Sequence, residues 1–375
     1  MKLFEVYSLF DVEPVEADGA LLFDRQGNKY LDFYGGHAVI SIGHGHPHFV
    51  ERITVQLGKL AFYSNSVPIS LQKDLAHKMG EVSGYFNWNL FLCNSGAEAN
   101  ENAMKLASAH NGRDKVMAFT GGFHGRTSLA VAVTDNPNIV FPVNEGANIV
   151  RFNFEDFDGT KTALENGDIC CVIIEGIQGV GGVVEPSTEF LSHLRVLCDE
   201  TDTVLILDEV QSGYGRSGRF FAHQHSFVQP DIISIAKGMG NGFPVGGILI
   251  HPKLKAKAGM LGTTFGGNHL ACAASLAVLE VIESEQLIKK VAQTGILFRK
   301  ELESINEVKE VRGKGLMLGV EFDFPVAEMR KKMLYEQHVF TGSSSNKNTL
   351  RLLPPLNISE KEVHLCIEAL KNVLA

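Results

Sequence analysis

Apolar residues follow two rhythms along the middle of this chain. Short unbroken runs stand at "NLFLCN" (89–94), "VMAFTGG" (116–122), "CCVIIEG" (170–176), "TVLILDE" (203–209) and "DIISIAKG" (231–238). Between them lie helical stretches such as "AEANENAMKLASAH" and "TEFLSHLRVLCDE", where Phe190, Leu191, Leu194 and Leu197 share one face. Unbroken β-branched runs separated by helices predict a mostly parallel sheet covered on both faces, an α/β domain.

The pattern changes toward the C-terminus. "VKEVRGKGLMLGVEF" predicts a strand pair and "TLRLLPPLNIS" a strand ended by prolines. "SEKEVHLCIEALKNVLA" opens on a Ser359-x-x-Glu362 capping box and lines Val363, Ile367, Leu370 and Val373 along one face, a closing helix. The N-terminal "GALLFDRQGNKYLDFYGG" places turn signals between short strands. These patterns divide the chain into an N-terminal segment (1–60) joining a small domain, a large ligand-binding domain (61–274), and a smaller C-terminal α+β domain (275–375).

Composition narrows the partners. Thirty-four basic against forty-three acidic residues give a net charge of −9, with no Lys/Arg block, so nucleic acid is not an expected partner. No long uncharged apolar window predicts a membrane span, and Glu5 and Asp11 interrupt the first apolar stretch, which disfavours a secretory segment. The six cysteines form no CxxC pair and lie in apolar segments; they read as reduced core thiols of a cytoplasmic protein.

In such sheets ligands bind beyond the carboxyl ends of the strands, and four features gather there. After "NLFLCN", Ser95 reads as an N-cap and Glu98 as the other half of a capping box. Gly96 and Ala97 then offer open backbone N–H groups at a helix start, a phosphate cradle. "TGGFHGRTSLA" presents the ring of Phe123, beside His124, with Arg126 suited to a carboxylate. Asp208 ends one apolar run and Glu175 another, so a buried acid there needs a cationic partner. Lys237 ends a third, although an ammonium is rarely buried without a partner. A phosphate cradle, a stacking ring, a buried acid and a desolvated lysine together match what pyridoxal phosphate requires.

The same residues carry a resemblance. "LILDEVQSGYGRSG" followed by "PDIISIAKGMGNGFPVGG" resembles the signature of class III, fold type I pyridoxal-phosphate aminotransferases. "LDFYGGHAVISIGHGHP", "NSGAEANENAMKLA", "GGFHGRTSLA", "GTTFGGNHLACAAS" and "LRLLPPLNIS" resemble that family too, in order along nearly the whole chain. The likeness is to its ω-amino-group branch, nearest the enzymes of acetylornithine and succinylornithine. It implies a large domain built on a mostly parallel seven-stranded sheet, and a homodimer with shared active sites. It also implies the cofactor pyridoxal 5'-phosphate and transfer of the terminal amine of an N-acylornithine to 2-oxoglutarate, in arginine biosynthesis.

Residue by residue, the resemblance implies Lys237 as the cofactor-bearing lysine and Asp208 as partner of the pyridine nitrogen. Gln211 would meet the ring hydroxyl oxygen, with Phe123 and Val210 on the two ring faces and Glu175 nearby. Ser95, Gly96 and Ala97 would hold the phosphate, and Thr264 the phosphate of the neighbouring subunit. Arg126 would take the donor's α-carboxylate and Arg351 a carboxylate of 2-oxoglutarate. Two departures bear on this scheme. "EGIQGVGG" stands where relatives read "EPIQGEGG", so Val180 deprives Arg351 of an acidic partner; and His37 occupies a position where relatives select their substrate.

The competing readings are an ornithine or 4-aminobutyrate aminotransferase and, from another class, an NAD-dependent dehydrogenase. "RGKGLMLGVEF" lacks both GxGxxG spacing and a following helix, which disfavours the dehydrogenase. His44, His46 and His48 alternate as metal ligands could, but no neighbouring acid or cysteine supports a metal; a turn at Pro47 is the expectation.

Overall fold

A computed structural model describes residues 1–375. Seven strands form its central sheet: β1 (Asn89–Cys93), β2 (Lys115–Phe119), β3 (Ile149–Phe152), β4 (Ile169–Glu175), β5 (Val204–Asp208), β6 (Ile232–Ile235) and β7 (Gly246–Ile250). Their order across the sheet is β1-β7-β6-β5-β4-β2-β3, and all run parallel except β7. The β4 and β5 runs are buried at every position. Alternate side chains explain why. Cys171, Ile173 and Ile206 pack with the helix Gly96–Asn111, while Val172, Ile174, Leu205 and Leu207 pack with the helix Thr188–Glu200 on the opposite face. Each fully buried aliphatic side chain contributes roughly 1.5–3 kcal/mol of transfer free energy.

The apolar pattern predicts five of these strands and misses β3 and β7. β7 reads "GGILI", and glycine is a poor strand former. Its two glycines answer to crowding: a Cβ on Gly246 would lie 2.7 Å from the Ser95 carbonyl, and one on Gly247 2.7 Å from that of Phe91. The antiparallel direction follows from the connection. The short loop after β6 contains only a single 3₁₀ turn, Lys237–Met239, too little to carry the chain back to the other end of the sheet.

Two four-stranded sheets stand apart from this one. Glu310–Lys314 and Met317–Glu321 form the expected antiparallel pair, extended by Thr349–Leu352 and Gly342–Ser343. Three N-terminal strands, Pro14–Asp18, Leu21–Asp24 and Lys29–Asp32, take Val339–Phe340 as a fourth, parallel strand. The N-terminal segment thus shares a sheet with the C-terminal part. The closing helix Glu360–Leu374 is capped as the sequence predicts, Ser359 N donating to Glu362 Oε2 at 2.6 Å.

All six cysteines are buried and free, and no helix is long and apolar enough to cross a membrane. The three alternating histidines require a correction. Acids do reach them, one from twelve residues before and two from far along the chain: His44 meets Asp32 at 2.9 Å, His46 meets Glu285 at 2.9 Å, and His48 meets Glu280 at 2.5 Å. Each pairs with a different carboxylate, so they form ties rather than a metal site, and Pro47 opens the helix Pro47–Leu57.

Candidate active site

One cavity lies at the carboxyl end of the central sheet, and the strands deliver its walls in turn. From the end of β1 come Ser95, Gly96 and Ala97. Ser95 caps the helix Gly96–Asn111 by accepting from Glu98 N at 3.2 Å. The return half of the predicted capping box is shifted by one residue: Glu98 Oε2 accepts from Asn94 N at 2.9 Å, not from Ser95 N. The N–H groups of Gly96 and Ala97 find no acceptor in the protein and border the cavity. A Cβ on Gly96 would lie 2.6 Å from Val210 Cγ1, so only glycine leaves this cradle open beneath Val210.

β4 and β5 set two carboxylates side by side, Glu175 and Asp208 in register. Asp208 is 3% exposed. Its Oδ2 accepts from His124 Nδ1 and from Asn100 Nδ2, each at 2.8 Å, and its Oδ1 accepts from Val210 N at 3.0 Å. No Lys or Arg is in ion-pair range, so the expected cationic side chain is absent and an imidazole and an amide hydrogen-bond the carboxylate instead. Asn100 also donates to the His124 carbonyl at 2.7 Å, and its own Oδ1 is buried with no donor. Sequence reasoning passed over Asn100. The signal was a polar side chain on a helix face otherwise made of Ala99, Ala103, Met104 and Ala107.

Glu175 accepts from Phe123 N at 2.9 Å and from Gly179 N at 3.0 Å. Burial raises its pKa to about 7, with Asp208 adding to the rise and His124 opposing it. The sign of the consequence follows. An unfolded glutamate loses its proton near 4.5, whereas the folded one holds it to about 7. The folded state then binds more protons in that window, and its stability falls as pH rises through it. In cofactor-free protein, the melting temperature of Glu175→Gln minus that of wild type should increase from pH 5 to pH 8. A flat difference would show that Glu175 is not held protonated.

Lys237 follows β6 at φ +46°, in the left-handed region that L-residues seldom adopt. No carboxylate lies in ion-pair range of its amine. Burial lowers its pKa to about 8, the charges of Asp208 and Glu175 resisting the fall and Arg351 assisting it.

The remaining candidates divide by depth. Phe123, Val210 and Gln211 line the same cavity as Lys237. Arg351, on the strand Thr349–Leu352, is 3% exposed and has no carboxylate partner; it donates to the Ser343 carbonyl and, at 3.2 Å, to Gln211 Oε1. Gln211 in turn donates to the His37 carbonyl at 3.1 Å. His37 lies against Tyr34, whose hydroxyl meets its Nε2 at 2.9 Å, and Tyr34 was not foreseen from sequence. Partial burial, with Arg351, Lys237 and Arg126 nearby, lowers the His37 pKa to about 4, so the ring is neutral. Arg126 is exposed beside Gly125 at the cavity and is unpaired. Thr264 is exposed and stands outside the cavity.

Comparison with known proteins agrees with this geometry. Residues 5–374 match the family model for aminotransferase class-III. The acetylornithine aminotransferase of Bacillus subtilis (strain 168) is 39% identical over 381 residues, covering 100% of this chain and 97% of its own. That of Methanocaldococcus jannaschii is 41% identical over 387 residues, covering 98% and 95%. The crystal structure of the ornithine aminotransferase from Toxoplasma gondii ME49 superposes with a TM-score of 0.92 at 27% identity, covering 99% of this chain and 92% of that one.

Proposed function

The chain belongs to the class-III aminotransferase family, and from that premise we propose that it moves the terminal amine of an N-acylornithine to 2-oxoglutarate, in arginine biosynthesis. The family's cofactor is pyridoxal 5'-phosphate, and the residues present fit it. Gly96 and Ala97 supply unsatisfied N–H groups for its phosphate, and Asp208 a buried carboxylate for its pyridine nitrogen. Phe123 and Val210 supply two apolar walls, and Lys237 an amine free of ion pairs. When bound, the cofactor provides an electron sink for the carbon that loses a proton.

The protein's own groups do the rest. The neutral amine of Lys237 moves the proton at the substrate's terminal carbon, a task suited to a group that titrates near 8. Asp208 holds its carboxyl group in place at the cavity floor, supported by His124 and Asn100. Glu175 stays with the backbone amides of Phe123 and Gly179, closing the wall between the two.

The observation that carries the substrate reading is a pair of arginines without carboxylate partners at two depths, Arg351 buried and Arg126 at the mouth. A donor held by its α-carboxylate at Arg126 turns its far end toward Lys237, and an oxo-diacid finds a second cation at Arg351. The likeness to acetylornithine aminotransferases favours the acetyl donor, and the neutral His37 ring adds no cation for a succinyl carboxylate. Exposed Thr264 fits a residue lent to the neighbouring subunit's phosphate site, which makes the working unit a homodimer, in the cytoplasm.

Arg126→Ala should raise KM for N-acetylornithine about 10- to 100-fold, the loss of a charged hydrogen-bonded pair, while changing kcat less. Unchanged donor kinetics would remove Arg126 from that role. The whole reading is tested by colour. Protein loaded with pyridoxal phosphate should be yellow and should lose that absorbance on adding N-acetylornithine or N-succinylornithine, faster than with ornithine or 4-aminobutyrate. Faster conversion of the last two would overturn the substrate, and a colourless inactive protein the function.

A further inference from the structure

Asn241 lies four residues beyond Lys237, in the loop that turns β6 into β7. It is 6% exposed and, like Lys237, left-handed, at φ +45°. Its side-chain amide is committed to one segment some two hundred residues away. Oδ1 accepts from Ser41 N at 2.8 Å and from Ile42 N at 3.1 Å, and Nδ2 donates to the Gly43 carbonyl at 2.9 Å. Ser41 Oγ donates back to the Gly238 carbonyl at 2.7 Å, next to Lys237 itself. With a longer contact from Ser41 Oγ to Asn241 Oδ1 at 3.5 Å, five hydrogen bonds join the lysine loop to residues 41–43, all of them buried.

The segment so held leads directly to the substrate side of the cavity. Val39 lines the cavity. The Ile40 carbonyl accepts from the buried Arg216 at 3.3 Å, and the His37 carbonyl from Gln211. Residues 35–38 all have φ between +55° and +68°, a turn of left-handed helix. Its non-glycine members, His37 and Ala38, each carry roughly 1–2 kcal/mol of strain. Such a turn persists only where its surroundings dictate it. Gln211 at the His37 carbonyl and Arg216 at that of Ile40, both from the loop that follows β5, supply that dictation, and Asn241, from the loop after β6, fixes the residues that come next.

We propose that Asn241 is a positioning residue for transamination, its side-chain amide locking the Lys237 loop and the segment that bears the cavity-lining Val39 into one register. The amine that moves the proton and that side of the cavity are then aligned by a single side chain. This rests on the role given above to Lys237, and not on the identity of the acyl group.

The test uses the holoenzyme carrying Asn241→Gly, which keeps the left-handed backbone available and deletes every bond of the amide. We expect kcat for the amine half-reaction to fall about 10- to 100-fold and donor KM to rise, as a small misplacement of reacting groups implies. The pH midpoint of the bound cofactor's absorbance, read without substrate, should also shift. Ser41→Ala, which loses the bond to Gly238 and the longer contact with Asn241 Oδ1 but keeps the three shorter bonds of the amide, should move that midpoint in the same direction by less. If Asn241→Gly melts lower but keeps wild-type kcat, donor KM and midpoint, Asn241 is a structural fastener and the proposal is wrong. If it does not fold, Ser41→Ala decides: an unmoved midpoint and unchanged donor kinetics overturn the proposal. Should the wild type convert no N-acylornithine, the substrate reading fails, and the substrate-free midpoint still decides this one.

Discussion

Lys237→Ala should fold, bind pyridoxal phosphate and turn over at least about 10⁴-fold more slowly than wild type, because the two tasks proposed for this lysine disappear together. One is the covalent hold on the cofactor; the other is proton movement at the substrate carbon. The backbone gives no reason to expect collapse. Lysine and alanine both carry a Cβ, so the φ of +46° strains both alike, and the variant removes a buried amine that had no carboxylate partner. Loss of activity with an intact circular-dichroism spectrum and a melting temperature at or above wild type is the expected result. Small primary amines added at high concentration should restore part of the half-reaction, since the cavity then has room for them. Steady-state turnover within tenfold of wild type would show that another base moves the proton.

That lysine was legible in sequence for a physical reason, and so were its neighbours. A strand buried on both faces carries almost no polar positions, Ser234 being the exception inside these three, so Glu175, Asp208 and Lys237 stand out where the apolar runs stop. Helix capping is equally local, and Ser95 caps the helix Gly96–Asn111 as read, apart from the one-residue shift in Glu98's return bond. What stayed hidden is what depends on residues far apart. The acids that bind His46 and His48 come from the helix His269–Ser284 and the residue after it. Arg216 holds three backbone carbonyls, those of Ile40, Leu316 and Pro354, and no local pattern announces that. Asn100 and Asn241 belong to the same class: a single amide whose partners are brought by the fold. β7 was hidden differently, since the close approach that demands its glycines also erases its strand signature.

Asp208→Asn should lower the rate of the amine half-reaction by roughly 10²–10³-fold, the usual loss when one preorganised charge facing the reacting system is removed. The substitution preserves volume, so packing is unchanged and the effect is electrical and geometric. Three donors now converge on the carboxylate: His124 Nδ1, Asn100 Nδ2 and Val210 N. An amide offers one oxygen where two stood, so at least one of these donors faces an NH₂ group and loses its bond, at about 1–3 kcal/mol. With the cofactor held as proposed, its pyridine nitrogen would meet an amide in place of a carboxylate, and its proton would be held less firmly. Weaker cofactor retention should therefore accompany the slower rate, measured by absorbance after dialysis. Asp208→Glu keeps the charge but must fit an extra methylene into a position only 3% exposed, so it should recover part of the rate and melt at a lower temperature. If the Asn variant transaminates at the wild-type rate, the charge at Asp208 plays no part in the chemistry. Asn100 and His124 would then serve only to satisfy a buried acid.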